Sequence, residues 1–264
     1  MFLERGAKKR RLGIAERCVN DVFDVLRPPF LVHYFELDMT GMLDVLERVR
    51  RESGWYVSFS AMLIKASAIA LMEAPRFLEM LHGSRLIRPP TIDVSLSVAG
   101  RTRMAQLAVV KDAPGKSLIE IGQEVIKEVW RIHQGEVRKI ALYNRLGWIV
   151  PGFLRWYLLR LYLRSYRGVR NSMATLQISD LSTFSMDVTI SRVCLRPLLI
   201  PGAIKERPFV VDGKLEVRPT CVFALHVDQR VIDRVAGDRF VKALSGVVEK
   251  TPEAMFGDGT SKLR

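Results

Sequence analysis

Apolar residues along the chain change their spacing several times, and each change marks an element. In residues 8 to 26 the basic run Lys8-Lys9-Arg10-Arg11 is followed by Ile14, Cys18, Val19, Val22, Phe23 and Leu26. That spacing of three to four predicts an amphipathic opening helix, ended by Pro28-Pro29. Phe30 to Asp38 is β-branched and aromatic, which predicts a strand, and Thr40 is placed to cap a helix from Gly41 to Glu52. Ser58 is placed to cap a helix from Phe59 to Glu73 that is apolar nearly all round and therefore buried. Residues 91–98 and 104–110 predict a strand pair about the turn Gly100-Arg101-Thr102-Arg103. Ser117 opens a helix to His133 with Ile119, Ile121, Val125, Ile126 and Val129 expected on its inner face. Further strands are expected at 174–179, 188–193 and 217–227, and Asp212-Gly213 signals a tight hairpin between 209–211 and 214–217.

Helices and strands that alternate in this way suit two architectures. A doubly wound parallel sheet is disfavoured, because no Gly-x-Gly-x-x-Gly follows a strand and the hairpins require antiparallel pairing. The expected class is α+β, a two-layer sandwich with a mixed sheet and its helices on one side. With 264 residues, 48% hydrophobic and 26% charged, the chain can bury one or two cores, and no apolar run is long enough to span a bilayer. The N-terminus lacks the pattern of a secretory signal, and Cys18, Cys194 and Cys221 form no Cys-x-x-Cys pair. A cytoplasmic location is the expectation, without bound metal. The formal charge of +13 suits nucleic acid, an anionic membrane surface or an anionic ligand such as coenzyme A.

The segment from Leu225 to Arg234 reads as a strand, a tight turn and a helix start. Its core, Asp228-Gln229-Arg230-Val231-Ile232-Asp233-Arg234, resembles the Asp-His-Arg-Val-Ile-Asp-Gly signature of the catalytic domains of dihydrolipoyl acyltransferases. These belong to 2-oxoacid dehydrogenase complexes and to the wider chloramphenicol acetyltransferase-like superfamily. Other blocks resemble the same family in the same order: Ile14-Ala15-Glu16-Arg17, Val57-Ser58-Phe59-Ser60, Val109-Val110-Lys111-Asp112-Ala113, Leu176-Gln177-Ile178-Ser179-Asp180-Leu181 and Pro201-Gly202-Ala203-Ile204. The resemblance covers most of the chain as a single catalytic-type domain, 1–264. It leaves no room upstream for a lipoyl or subunit-binding domain, and hence for a lipoyl group of the chain's own.

The resemblance implies acyl transfer from or to coenzyme A. In that chemistry a histidine takes the thiol proton, the thiolate attacks the thioester, and a serine or threonine hydroxyl donates to the oxyanion. Gln229 stands in the histidine's place, and a carboxamide can hydrogen-bond but has no useful basicity near neutral pH. Ser179 matches the oxyanion donor; a strand serine satisfied by backbone is the plainer reading. Asp233 matches a structural aspartate, with Arg17 implied as its partner, and Arg234 replaces a glycine. His33 resembles a residue of the strand that lines the family's substrate channel and is the most interesting substitute base, set against a packing role. His226 reads as a core or edge residue, and His82 and His133 as surface. The family builds its site across a subunit interface, which implies a homotrimer or larger homo-oligomer.

The segment 137–170 departs most from the resemblance, as a basic apolar insertion. It carries eight basic residues, from Arg138 to Arg170, and no acidic one, with Trp148, Trp156, Tyr157 and Tyr162 among leucines. A helical hairpin about Pro151-Gly152 is expected. It suits an anionic membrane surface, or packing on the protein's own core or a neighbour, and nucleic acid suits it less. Two functions remain: an acyltransferase-like enzyme with an altered base, or a catalytically inactive acyltransferase-fold binding or assembly module, peripheral to the membrane's inner face if the insertion holds lipid.

Overall fold

The computed structural model describes residues 8–11, 30–99, 105–134, 154, 161, 174–191 and 196–256. Its centre is a six-stranded mixed sheet in the order β2-β9-β8-β7-β5-β6. These strands are β2 (Phe30–Asp38), β5 (Val94–Val98), β6 (Gln106–Val110), β7 (Leu176–Ile178), β8 (Leu198–Val211) and β9 (Lys214–Asp228). β2 runs antiparallel to β9, and β9 antiparallel to β8. β7 lies parallel to both β8 and β5, and β5 and β6 form the expected antiparallel pair. Asp212 and Gly213, at φ of 49° and 78°, make the hairpin turn whose twist matches the strands on either side.

Packed on this sheet among the described residues are the α-helices α1 (Thr40–Ser53), α2 (Phe59–Glu73), α3 (Leu118–His133) and α4 (Arg234–Ser245). α2 packs against α3 and α4 and against β5, and its apolar residues are buried on nearly every side. Ser58 caps α2 by accepting the Ala61 amide, and Ser117 and Glu120 close a reciprocal capping box on α3. α1 starts differently from the expectation. Thr40 lies inside the helix, and the Asp38 carboxylate takes both the Thr40 amide and hydroxyl. The core between sheet and helices includes Leu37, Phe77, Ile121, Phe223, Leu225, Val227 and Phe240, with Phe77 stacked on Phe240 at 4.6 Å.

Three expectations are corrected. Lys8–Arg11 is a strand, β1, pairing with β4 (Arg85–Arg88), which pairs in turn with β3 (Met80–His82) in a small sheet; the rest of the predicted opening helix lies outside the described residues. Residues 188–191 form no strand, and 192–193 lie outside the described residues. Ile126 is more than half exposed and Ile119 lines the same outer hollow, so neither is on the inner face of α3. Of the segment 137–170 only Leu154 and Leu161 are described, and no described helix is long and apolar enough to cross a membrane.

The helices cover one face of the sheet. Across the other runs the loop after β7, held where the amide of Leu181 donates to Pro201 and that of Ala203 donates to Met186. A Cβ at Gly202 would lie 1.9 Å from the Asp187 carbonyl oxygen, so only glycine admits this crossing. Phe184, Met186, Val188 and Ile190 along the loop are all exposed, as are Tyr34 on β2 and Val210, Leu215 and Val217 on the β8–β9 hairpin.

Candidate active site

The strand–turn–helix read from the motif is present. β9 ends at Asp228, whose carbonyl accepts from the amides of Val231 (3.0 Å) and Ile232 (2.9 Å). The Asp228 carboxylate accepts from the Arg230 amide at 3.0 Å and grips the Arg230 guanidinium through Nε and Nη2. Asp228 and Arg230 therefore lock the turn, and Gln229 between them is left exposed, with no hydrogen bond among the described residues. Asp233 caps α4 by accepting the Ala236 amide at 2.8 Å, and its second oxygen pairs with Arg76. Arg17, the partner implied by resemblance, lies outside the described residues.

His33 reaches α4, which follows this turn, from the neighbouring strand. β2 and β9 place it opposite Leu225, on the sheet face toward α4. Its ring lies against the backbone of α4: a Cβ at Gly237 would come within 2.6 Å of His33 Nε2. That nitrogen is buried, with no hydrogen-bond partner among the described residues. Burial, and then the charge of Arg234, hold the His33 imidazole below its ordinary pKa of 6.5, and Asp238 opposes them. Burial thus favours the neutral form of the ring, which packs against the helix that follows the motif.

Ser179 follows β7. Its amide donates to the Leu199 carbonyl at 3.0 Å, and its half-buried side chain makes no hydrogen bond among the described residues. Asp180 beside it accepts from the Ser60 hydroxyl at the start of α2 and from the Ser182 amide, which fixes the backbone on which Ser179 rides. Strand order separates Ser179 from Gln229 within one chain. β8 lies between β7 and β9, and Leu199 pairs with Leu225, four residues before Gln229. Strand spacing and rise put the two side chains on the order of 15–20 Å apart, so one chain does not bring them together.

His226 lies on the opposite sheet face from His33. It is fully buried, its Nδ1 is 3.2 Å from the Ser191 carbonyl oxygen, and burial lowers its pKa. Three residues that shape this region had no individual signature: Arg76, 157 positions from Asp233; Ser60, 120 positions from Asp180; and Gly237. Gly237 alone offered a hint, because glycine inside a helix usually marks a close packing contact.

This fold and turn define a two-layer α+β sandwich domain with a mixed sheet. The sequence matches the profile of the 2-oxoacid dehydrogenases acyltransferase (catalytic domain) family over residues 13–142 and 172–257, and the chain belongs to that family. The profile leaves 143–171 unmatched. A lipoamide acyltransferase component of the branched-chain alpha-keto acid dehydrogenase complex of Bacillus subtilis is 22% identical over 83% of this chain and 46% of its own length. The chain thus spans about half of such a relative. A structure concerned with a serine, a histidine and an asparagine in the catalytic mechanism of Azotobacter vinelandii dihydrolipoamide acetyltransferase superposes with a TM-score of 0.68 at 20% identity, covering 90% of this chain and 88% of that one. The cubic core of a pyruvate dehydrogenase multienzyme complex gives 0.65 at 20% identity, with the same coverage. A chloramphenicol acetyltransferase gives 0.51 at 16% identity, covering 92% and 100%.

Proposed function

We propose that this protein is an acyltransferase that exchanges an acyl group with coenzyme A, works as a homo-oligomer, and has no imidazole at its motif turn. The observation that carries this reading is Ser179: a half-buried hydroxyl, uncommitted among the described residues, on a backbone fixed through Asp180 and Ser60. Support comes from the Azotobacter vinelandii protein, whose mechanism has been studied at a histidine and an asparagine four positions apart, as Gln229 and Asp233 are. In this reading the Ser179 hydroxyl donates to the oxyanion that forms when thiolate sulfur bonds to the thioester carbonyl carbon. The oxyanion then collapses, re-forming the carbonyl and breaking the original C–S bond. Gln229 can donate its amide N–H to the substrate but cannot accept the thiol proton, so the thiol must lose that proton to solvent before attack. Ser179 and Gln229 would meet only across two copies, in agreement with the exposed apolar loop and hairpin on the sheet's open face.

A second reading is favoured by the exposure of Gln229 and by Arg234 in the glycine's place: a catalytically inactive module kept for binding or assembly, held at an anionic membrane surface through 137–170. Transfer from acetyl-coenzyme A to a panel of thiols and alcohols separates the two. Native turnover that falls about 10²- to 10³-fold in Ser179→Ala supports the enzyme. Turnover found only in Gln229→His overturns it in favour of the inactive module. Recovery on anionic liposomes that is unchanged by deleting 137–170 would remove that segment as the anchor.

A further inference from the structure

α3 is apolar on two faces. Ile121, Val125 and Ile132 enter the core, whereas Ile119, Ile126 and Trp130 follow one another along the outer side, with Ile126 and Trp130 more than half exposed. Trp55 and Tyr56, in the connection between α1 and α2, stand beside this stripe at 55% and 67% exposure. Together they border an open hollow of about 310 Å³ whose lining also includes Lys127. Contiguous apolar exposure of this kind marks a docking surface rather than scattered surface residues.

We infer that this hollow and its aromatic rim are a membrane-docking surface that takes a lipid bilayer with anionic headgroups. The side chains fit headgroup depth, where Trp and Tyr keep an apolar ring in the acyl boundary and a polar tip in the wet layer. Cations are placed to meet lipid phosphates. The Arg50 guanidinium sits 4.8 Å over the Tyr56 ring, fixed by its Nε donating to the Val57 carbonyl at 2.9 Å. Lys127 and Arg51 make no ion pair among the described residues, whereas two of the three glutamates of α3, Glu124 and Glu128, are paired with Lys116 and Arg131, and the third, Glu120, accepts from the Ser117 amide and hydroxyl in the capping box. Charge adds to this: the sequence after α3 carries eight basic and no acidic residues between 138 and 170. This surface rests on the membrane part of the second reading above but consists of other residues.

The test uses the full chain in flotation with vesicles of equal parts phosphatidylcholine and phosphatidylglycerol, and with phosphatidylcholine alone. The native chain should float with the anionic vesicles. The triple variant Trp55→Ser, Tyr56→Ser, Trp130→Ser should lose at least about tenfold in partitioning, with an unchanged far-ultraviolet circular dichroism spectrum and melting temperature. A second variant replaces the eight basic residues of 138–170 with glutamine. Loss in that variant beside full flotation of the triple variant would keep membrane association and overturn this surface. Absence of native flotation overturns both. A triple variant that floats like the native chain, or that changes only the oligomeric mass in light scattering, marks the patch as something other than a membrane surface.

Discussion

At the scale of single residues, the side chain at the turn bears on how protons move in the proposed transfer, and two buried imidazoles bear on stability. In the proposed reaction Gln229 supplies no basicity, so the transfer draws on thiol that ionises in solution. Acetyl transfer to coenzyme A is therefore expected to rise about tenfold per pH unit from about pH 6 to 8, following the thiolate fraction. Gln229→His should be faster by about 10²- to 10⁴-fold and level off above the imidazole pKa; a native profile that levels off near pH 7 would show that another base acts. His33 and His226 bear on stability instead. Both have folded pKa values below the ordinary 6.5, because burial disfavours the charged ring. The unfolded chain therefore binds protons first, and stability is complete above about pH 6.5 and falls as the pH drops below it toward the folded values. Melting temperatures between pH 7 and pH 5 should fall, and fall less in His33→Gln or His226→Gln; an equal fall in both variants would place the acid sensitivity elsewhere.

At the scale of elements, α4 is positioned by a cap and a gap. Asp233 caps the helix and pairs with Arg76, but the pair is half exposed on both sides, where an ion pair contributes about 0–1 kcal/mol. Loss of an N-cap costs about 0.5–2 kcal/mol. Asp233→Ala should thus destabilise more than Arg76→Ala in denaturant unfolding, and equal effects would mean that the ion pair dominates. The gap is Gly237. Its added methyl would meet the His33 ring, so Gly237→Ala should cost about 1–3 kcal/mol. In a double-mutant cycle, His33→Ala should recover much of that loss; additive losses would show that the ring is not what the methyl meets. The sequence made α2, with its Ser58 cap, and α3, with its Ser117–Glu120 box, legible because those signals are local. It placed the cap of α1 on Thr40 because a carboxylate two residues earlier can do the same work. It gave Ile126 to the core because an apolar residue on an outer stripe has the same letter as one inside.

At the scale of the whole molecule, the motif order, the Asp212-Gly213 hairpin and the β2, β5, β6 and β9 strands were enough to read a mixed α+β sandwich. The site was legible only in part. The turn and Ser179 were visible as motifs, but the distance between them within one chain depends on strand order, which no local pattern encodes. β3 and β4 went unread because they are short and lack strict alternation. The exposed Phe184, Met186, Val188 and Ile190 lead to an assembly prediction. Light scattering should give a multiple of the 30.0 kDa chain mass, and Phe184→Ser with Ile190→Ser should return it toward one chain. A native monomer would leave Ser179 and Gln229 apart and remove the shared-site reading.

The pairing of β2 with β9 also has a consequence for synthesis. Phe30 pairs with Asp228 and Asp38 with Thr220, so the strand that carries His33 leaves the ribosome long before its partner exists. β7, which links β5 to β8, is only three residues long and cannot hold the halves of the sheet together early. Assembly waits for distant contacts, which fold slowly and leave apolar edges open in the meantime. The nascent chain is therefore expected to be a chaperone client until residue 228 has emerged, and any truncation before β9 should yield an aggregating fragment rather than a smaller domain.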